Sequence, residues 1–100
     1  MHYLLTYQYT DDYLVRRNLF RNEHLRHAWA AQARGELLLG GAAGDPPSSA
    51  VLVFSCDSAH TVEQFVQADP YVVHGLVCSH TVQPWATVVG KEASTPVHPQ

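Results

Sequence analysis

Apolar and polar residues alternate along the first segment of the chain, from Tyr3 to Tyr9 (YLLTYQY). A period of two residues places successive side chains on opposite faces of an extended strand. One face of this strand carries mostly tyrosines: Tyr3, Leu5, Tyr7 and Tyr9. The pattern therefore predicts a β-strand with an aromatic row on one side.

A long helix is predicted next, over residues 12–34. This stretch contains neither glycine nor proline and is rich in helix-forming residues. Thr10, Asp11 and Asp12 supply a cap and negative charge at its start. Gly35 is the kind of residue at which helices commonly end.

Three further strands are predicted from short apolar runs. Residues 36–42 and 50–55 are too short for helices and are separated by a predicted loop, residues 44–49 (GDPPSS). Residues 76–83 form the last predicted strand.

From Gly90 onward no apolar period remains, so we predict one domain over residues 1–90 and a flexible tail over residues 91–100.

A second helix is predicted after Ser58, with its apolar stripe at Val62, Phe65 and Val66. Asp69 continues this stripe by spacing, so its carboxylate points inward if the helix extends that far. Burying a carboxylate is costly unless it is paired. The alternative is an Asp-Pro turn at Asp69-Pro70, which is a common loop device.

The predicted order is therefore β-α-β-β-α-β, an α+β ferredoxin-like fold with an antiparallel sheet. Both helices lie on one face of such a sheet. We expect the tyrosine row and Trp85 on the other face, where they are too apolar to remain in water. A second copy of the chain is the simplest cover, so we predict a homodimer.

Composition narrows the function classes. The chain has 100 residues, 46% of them hydrophobic, and a formal net charge of −3, which indicates one globular domain and argues against nucleic-acid binding. No apolar run is long enough to span a membrane. The start, Met1-His2-Tyr3, does not resemble a signal peptide, so we expect a cytoplasmic protein. Cys56 and Cys78 are predicted to be buried free thiols.

Seven histidines are present, and two of them, His24 and His27, are spaced to share one helix face. No third ligand with a standard spacing accompanies them, so we predict no bound metal. The sequence also contains no glycine-rich nucleotide loop and no nucleophile elbow, so no cofactor is predicted.

A helical wheel places Arg17 and Arg21 on the arc of His24, at the middle of the predicted buried face. One interpretation is structural: His24 is a satisfied core histidine and the arginines extend to the surface. The other is chemical, because the two helices are neighbours and His24 and Asp69 can meet. A carboxylate fixes the tautomer of an imidazole and stabilises its protonated form, which suits general acid/base catalysis.

Several segments together resemble the YCII-related (YciI-like) family, over about residues 2–89. They are Arg17-x-x-x-Arg21-x-x-His24-Leu25, Gly35-x-Leu37 with Gly41, Ala68-Asp69-Pro70-Tyr71-Val72, and Gly75 with Val82-x-Pro84-Trp85. The resemblance implies a dimeric α+β barrel and an active site on His24 and Asp69. Ala42 stands where many relatives have proline, at the expected mouth of the pocket.

Two functions follow as hypotheses. The first is a cofactor-independent enzyme of lyase or isomerase type, similar to a dehydrochlorinase, in which His24 and Asp69 act on an anionic or phenolic substrate. Arg17, Arg21, Gly41 and Tyr71 are then the predicted substrate-binding residues. The second is a binding or accessory module that holds a small acidic ligand without turnover. A weaker third possibility is a haem-handling protein with His24 as axial ligand.

Overall fold

One four-stranded sheet and three helices make up the fold, in a computed structural model that describes residues 1–100. The strands are β1 (His2–Tyr9), β2 (Leu37–Gly44), β3 (Pro47–Ser55) and β4 (Val77–Trp85), and the helices are α1 (Tyr13–Ala33), α2 (Ala59–Ala68) and α3 (Pro70–Val73). The predicted β-α-β-β-α-β order is confirmed, with the short α3 following α2 directly.

The sheet has the strand order β2-β3-β1-β4, and every neighbouring pair is antiparallel. This is the ferredoxin-like arrangement expected from the sequence. Both α1 and α2 pack on one face, where Ala31 of α1 and Val62 of α2 join a buried cluster with Leu5 and Phe54 of the sheet. On this face the β1 side chains lie opposite three residues of β3, namely Ala50, Leu52 and Phe54.

The tyrosine row of β1 lies under the helices, so the predicted face was wrong. Tyr3 and Tyr7 are buried in the core, and Tyr7 has no exposed surface. The alternation was correct, but it does not say which side the helices cover. Tyrosine suits this core because its ring fills space while its hydroxyl finds a buried partner.

The open face of the sheet is formed by the other set of alternating residues. Leu4 of β1 lies opposite Val53 of β3 and Gln83 of β4 on this face, and Trp85 is in register with His2. Val51 and Trp85 remain 39% and 43% exposed. The sequence therefore placed Trp85 on the correct face, and an apolar surface does remain there.

The predicted loop at residues 44–49 is mostly strand, which corrects the sequence interpretation. Strands β2 and β3 form a hairpin whose pairing continues to Ala43 opposite Ser49 and Gly44 opposite Pro47. Gly44 adopts φ +104°, which only glycine takes up easily. Pro47 is tolerated because it is the first residue of its strand, where a missing N–H costs little.

Neither cysteine is fully buried, contrary to the prediction. Cys56 is half-buried and Cys78 is exposed on the edge strand β4, and both are free.

After β4 the chain turns back, with backbone hydrogen bonds from Thr95 and Val97 to Thr87 and Val88. The flexibility of residues 91–100 stays a prediction. No helix has the length and apolar character needed to cross a membrane.

Candidate active site

Asp69 lies at the junction of α2 and α3. Helix α2 ends at Ala68, and Asp69 has an extended backbone (ψ 121°), so the helix does not continue through it as the stripe suggested. Its carboxylate instead caps α3, accepting a hydrogen bond from the backbone N–H of Tyr71 at 3.0 Å, with Pro70 at the first helical position. Asp at the cap and Pro at the next position are both typical of a helix start.

The same carboxylate meets His24. The distance from His24 Nδ1 to Asp69 Oδ1 is 2.7 Å, and the side chain of Asp69 is completely buried whereas that of His24 is 16% exposed. An ionised carboxylate can only accept, so Nδ1–H donates to Asp69 and Nε2 is left as the basic nitrogen. Nε2 makes no hydrogen bond within the chain, so it is free for a ligand.

A third donor completes the surroundings of Asp69. The hydroxyl of Tyr7 on β1 donates to Asp69 Oδ2 at 2.8 Å. Every buried polar side-chain atom of the protein has a hydrogen-bond partner. The buried charge at Asp69 is therefore stabilised by groups from three separate elements, which is the condition under which burial of a carboxylate is tolerated.

A cavity of about 440 Å³ lies beside His24, between α1 and the strands β2 and β3. This volume is in the range typical of small-molecule sites. Gly40, Gly41, Ala42 and Ala50 on the sheet side have little or no side chain to fill the space. The wall is mostly apolar, and Leu25 and Trp29 of α1 form part of its rim.

Two arginines of α1 give the cavity its positive charge. Arg17 and Arg21 both line it, and neither forms an ion pair, whereas Arg16 pairs with Asp12 and Arg34 with Glu36. The guanidinium of Arg17 also lies over the ring of Tyr13, 5.7 Å from its centroid. Two unpaired guanidinium groups beside an apolar cavity are suited to an anionic ligand.

Tyrosine side chains, among them Tyr9, Tyr13 and Tyr71, line part of the cavity. Burial raises the pKa of Tyr71 to about 12, while the positive charges of Arg21 and Arg17 act in the opposite direction. Burial also raises the pKa of Tyr9 far above its usual range, and the neighbouring Tyr13, whose ring is stacked 3.5 Å away, adds to the effect. These hydroxyls therefore stay protonated, and remain hydrogen-bond donors, to a higher pH than an ordinary tyrosine.

Five of the predicted site residues line the cavity, namely Arg17, Arg21, His24, Gly41 and Tyr71, and Asp69 supports His24 from behind. Ala42, the departure from the family pattern, also lies in the wall. His27 is not brought to the site, since its Nε2 bonds to the carbonyl of Phe65 at 2.8 Å. No cluster of three potential metal ligands occurs in the chain.

Tyr7, Tyr9 and Tyr13 are the site residues that sequence reasoning missed. They border the cavity, but two of them belong to the strand row that had been assigned to the opposite face. The alternation of β1 carried no signal for the face: only the structure shows that Tyr7 lies opposite Ala50 and Leu5 opposite Leu52 of β3, on the side that the helices cover.

The fold and the site define a class: small antiparallel α+β proteins with a histidine–aspartate pair at the wall of an apolar cavity. The chain belongs to the YCII-related domain family, whose sequence profile matches residues 1–86. This confirms the resemblance seen in the sequence. No curated protein matched the chain.

Two solved structures show the same fold. One is 5-chloro-2-hydroxyhydroquinone dehydrochlorinase from Burkholderia phenoliruptrix AC1100, in complex with 2,5-dihydroxybenzoquinone. It is 22% identical with a TM-score of 0.75, over 94% of this chain and 100% of that chain. The other is protein Atu4242 from Agrobacterium tumefaciens, which is 12% identical with a TM-score of 0.58, over 94% and 98% of the two chains.

Proposed function

We propose that the protein is a small-molecule enzyme in which His24 is the general acid/base. The observation that carries the proposal is the 2.7 Å hydrogen bond from His24 Nδ1 to the wholly buried Asp69, at the wall of the cavity. Asp69 fixes the tautomer that leaves Nε2 basic and stabilises the imidazolium formed after proton uptake. A histidine held in this way typically contributes about 10²- to 10⁴-fold in rate.

The substrate is proposed to be anionic or phenolic. Arg17 and Arg21 attract its negative charge, and Tyr71 and Gly41 contribute to the walls that orient it. Proton transfer at a carbon or oxygen atom, as in elimination or isomerisation, needs no cofactor. The similar fold of the Burkholderia dehydrochlorinase, whose solved structure is a complex with 2,5-dihydroxybenzoquinone, supports this substrate class.

The test is a turnover screen of aromatic and lactone acids, beginning with 2,5-dihydroxybenzoquinone and chlorinated hydroxyhydroquinones. We expect His24→Ala to lower turnover of an accepted substrate by about 100-fold or more. His27→Gln is the matched control, since it changes a histidine on the same helix that contacts Phe65 instead of the cavity. Full turnover in His24→Ala refutes the catalytic assignment, and binding without turnover by the wild type across the panel favours a binding module.

The protein is also proposed to form a homodimer through the open face of its sheet. Leu39, Val51 and Trp85 expose apolar surface on this face, and a second copy of the chain offers the same surface in return. The cavity lies on the helix side of the sheet. Pairing through the open face therefore leaves the site accessible.

A further inference from the structure

Asp69 has two carboxylate oxygens, and they have different partners. Oδ1 accepts from His24 Nδ1 and from the backbone N–H of Tyr71, whereas Oδ2 accepts from the hydroxyl of Tyr7. Tyr7 is in the middle of β1, has no exposed surface and contacts Asp69 across the interface between sheet and helices. It is the one side chain that donates to the oxygen facing away from His24.

We infer that Tyr7 is a positioning residue whose hydrogen bond to Asp69 sets the pH at which His24 takes up a proton. The inference rests on the proposed function, since such tuning matters to a histidine that transfers protons. Tyr7 itself does not exchange protons with a substrate. Burial, with the nearby negative charge of Asp69, raises the pKa of its hydroxyl far above the usual range, so it remains a donor.

The physical basis is the sharing of one negative charge between two oxygens. A donor at Oδ2 draws charge away from Oδ1, so the carboxylate attracts the imidazolium of His24 less strongly. The donor also fixes the plane of the carboxylate, whose terminal torsion is otherwise broad. Removal of the hydroxyl should therefore concentrate charge on Oδ1 and favour the protonated form of His24.

Other charged and titratable groups near the pair are fixed by the fold. His24 has Arg17 and Arg21 on the preceding turns of α1 and the ring of Tyr71 of α3 on one face. Tyr7 has Tyr9 on its own strand, Glu63 on α2 and His80 opposite it on β4. None of these groups is altered by removal of the Tyr7 hydroxyl, so a change in the titration of His24 reports on the hydrogen bond.

The experiment is an NMR titration of the His24 imidazole nitrogens in the ligand-free protein. In Tyr7→Phe we expect the midpoint of the His24 titration to rise by about 0.5–1 pH unit. A rise of this size corresponds to a fraction of the free energy of one hydrogen bond to a charged group. Tyr3→Phe is the matched control. It removes a hydroxyl from the same face of β1, where the partner is the sulfur of Met1, and should leave the midpoint unchanged.

A second probe strengthens the hydrogen bond instead of removing it. Incorporation of 3-fluorotyrosine at position 7 makes the hydroxyl more acidic, so the midpoint should fall. This probe also decides the matter if Tyr7→Phe does not fold. An unchanged midpoint with both changes, or an equal shift in Tyr3→Phe, overturns the inference. Because no substrate is used, a negative turnover screen leaves the titration result standing.

Discussion

The ring of Tyr71 lies flat against the imidazole of His24, with 3.9 Å between centroids and 7° between planes. The backbone N–H of the same residue donates to Asp69. Tyr71 therefore fixes both members of the pair, one by stacking and the other by hydrogen bonding. It can do so because Asp69 caps α3 and Tyr71 is the second residue of that helix.

Replacement of Asp69 should destabilise the fold as well as the site. In Asp69→Ala three buried donors, on Tyr7, His24 and Tyr71, lose their acceptor, and each unsatisfied buried group costs about 1–3 kcal/mol. We expect the free energy of unfolding to fall by about 3 kcal/mol or more, measured by urea denaturation. Asp57→Ala, at an exposed acid outside the site, should have no measurable effect, and equal losses in both variants would contradict this account.

Removal of either cavity arginine should weaken the binding of an acidic ligand. For the tightest-binding acid of the turnover panel we expect Arg17→Ala and Arg21→Ala each to raise Kd about tenfold, which is the effect of about 1.4 kcal/mol. Added salt should reduce the difference, because exposed charges are screened. Calorimetric titration measures both effects. Arg26→Ala, an exposed arginine of the same helix outside the cavity, is the control and should bind like the wild type.

Stability should fall at alkaline pH because of the buried tyrosines. The folded protein holds the pKa of Tyr71 at about 12, and those of Tyr7 and Tyr9 higher still, whereas unfolded tyrosines ionise near pH 10. The contribution of the uncharged Tyr71 hydroxyl to the free energy of unfolding is therefore fully present below pH 10 and is lost as the pH rises through about 12. Urea denaturation at several pH values measures the slope. Tyr71→Phe should flatten it, and an identical slope in variant and wild type would refute the assignment.

The proposed dimer predicts a mass of about 22 kDa by light scattering, twice the chain mass of 11.1 kDa. Val51→Lys places a charge at the centre of the open sheet face and should give the mass of a single chain. Val15→Lys is the control, since Val15 is 83% exposed on α1, away from that face. The interface is disproved if the wild type is monomeric at micromolar concentration or if Val51→Lys stays dimeric.

Local pattern was sufficient for most of the fold. The alternation of β1, the helix between Asp12 and Gly35, and the sheet order all followed from periodicity, composition and general topology. The predicted caps did not follow, since neither Asp12 nor Ser58 makes a side-chain capping hydrogen bond at the start of its helix. The hairpin at residues 44–49 did not follow, because the composition GDPPSS is typical of loops whereas strand pairing is decided by the partner strand. Long-range hydrogen bonds overrode local preference there.

The sequence by itself determined which residues are available for chemistry: a histidine and two arginines on one helical arc, and an aspartate next to a proline. Only the tertiary structure decided that Asp69 faces His24 while capping a different helix, and that Tyr7 completes its hydrogen bonds. Periodicity fixes the relative orientation of side chains within one element. Which face becomes the interior depends on the packing of elements far apart in the chain, and that packing brought the three residues together.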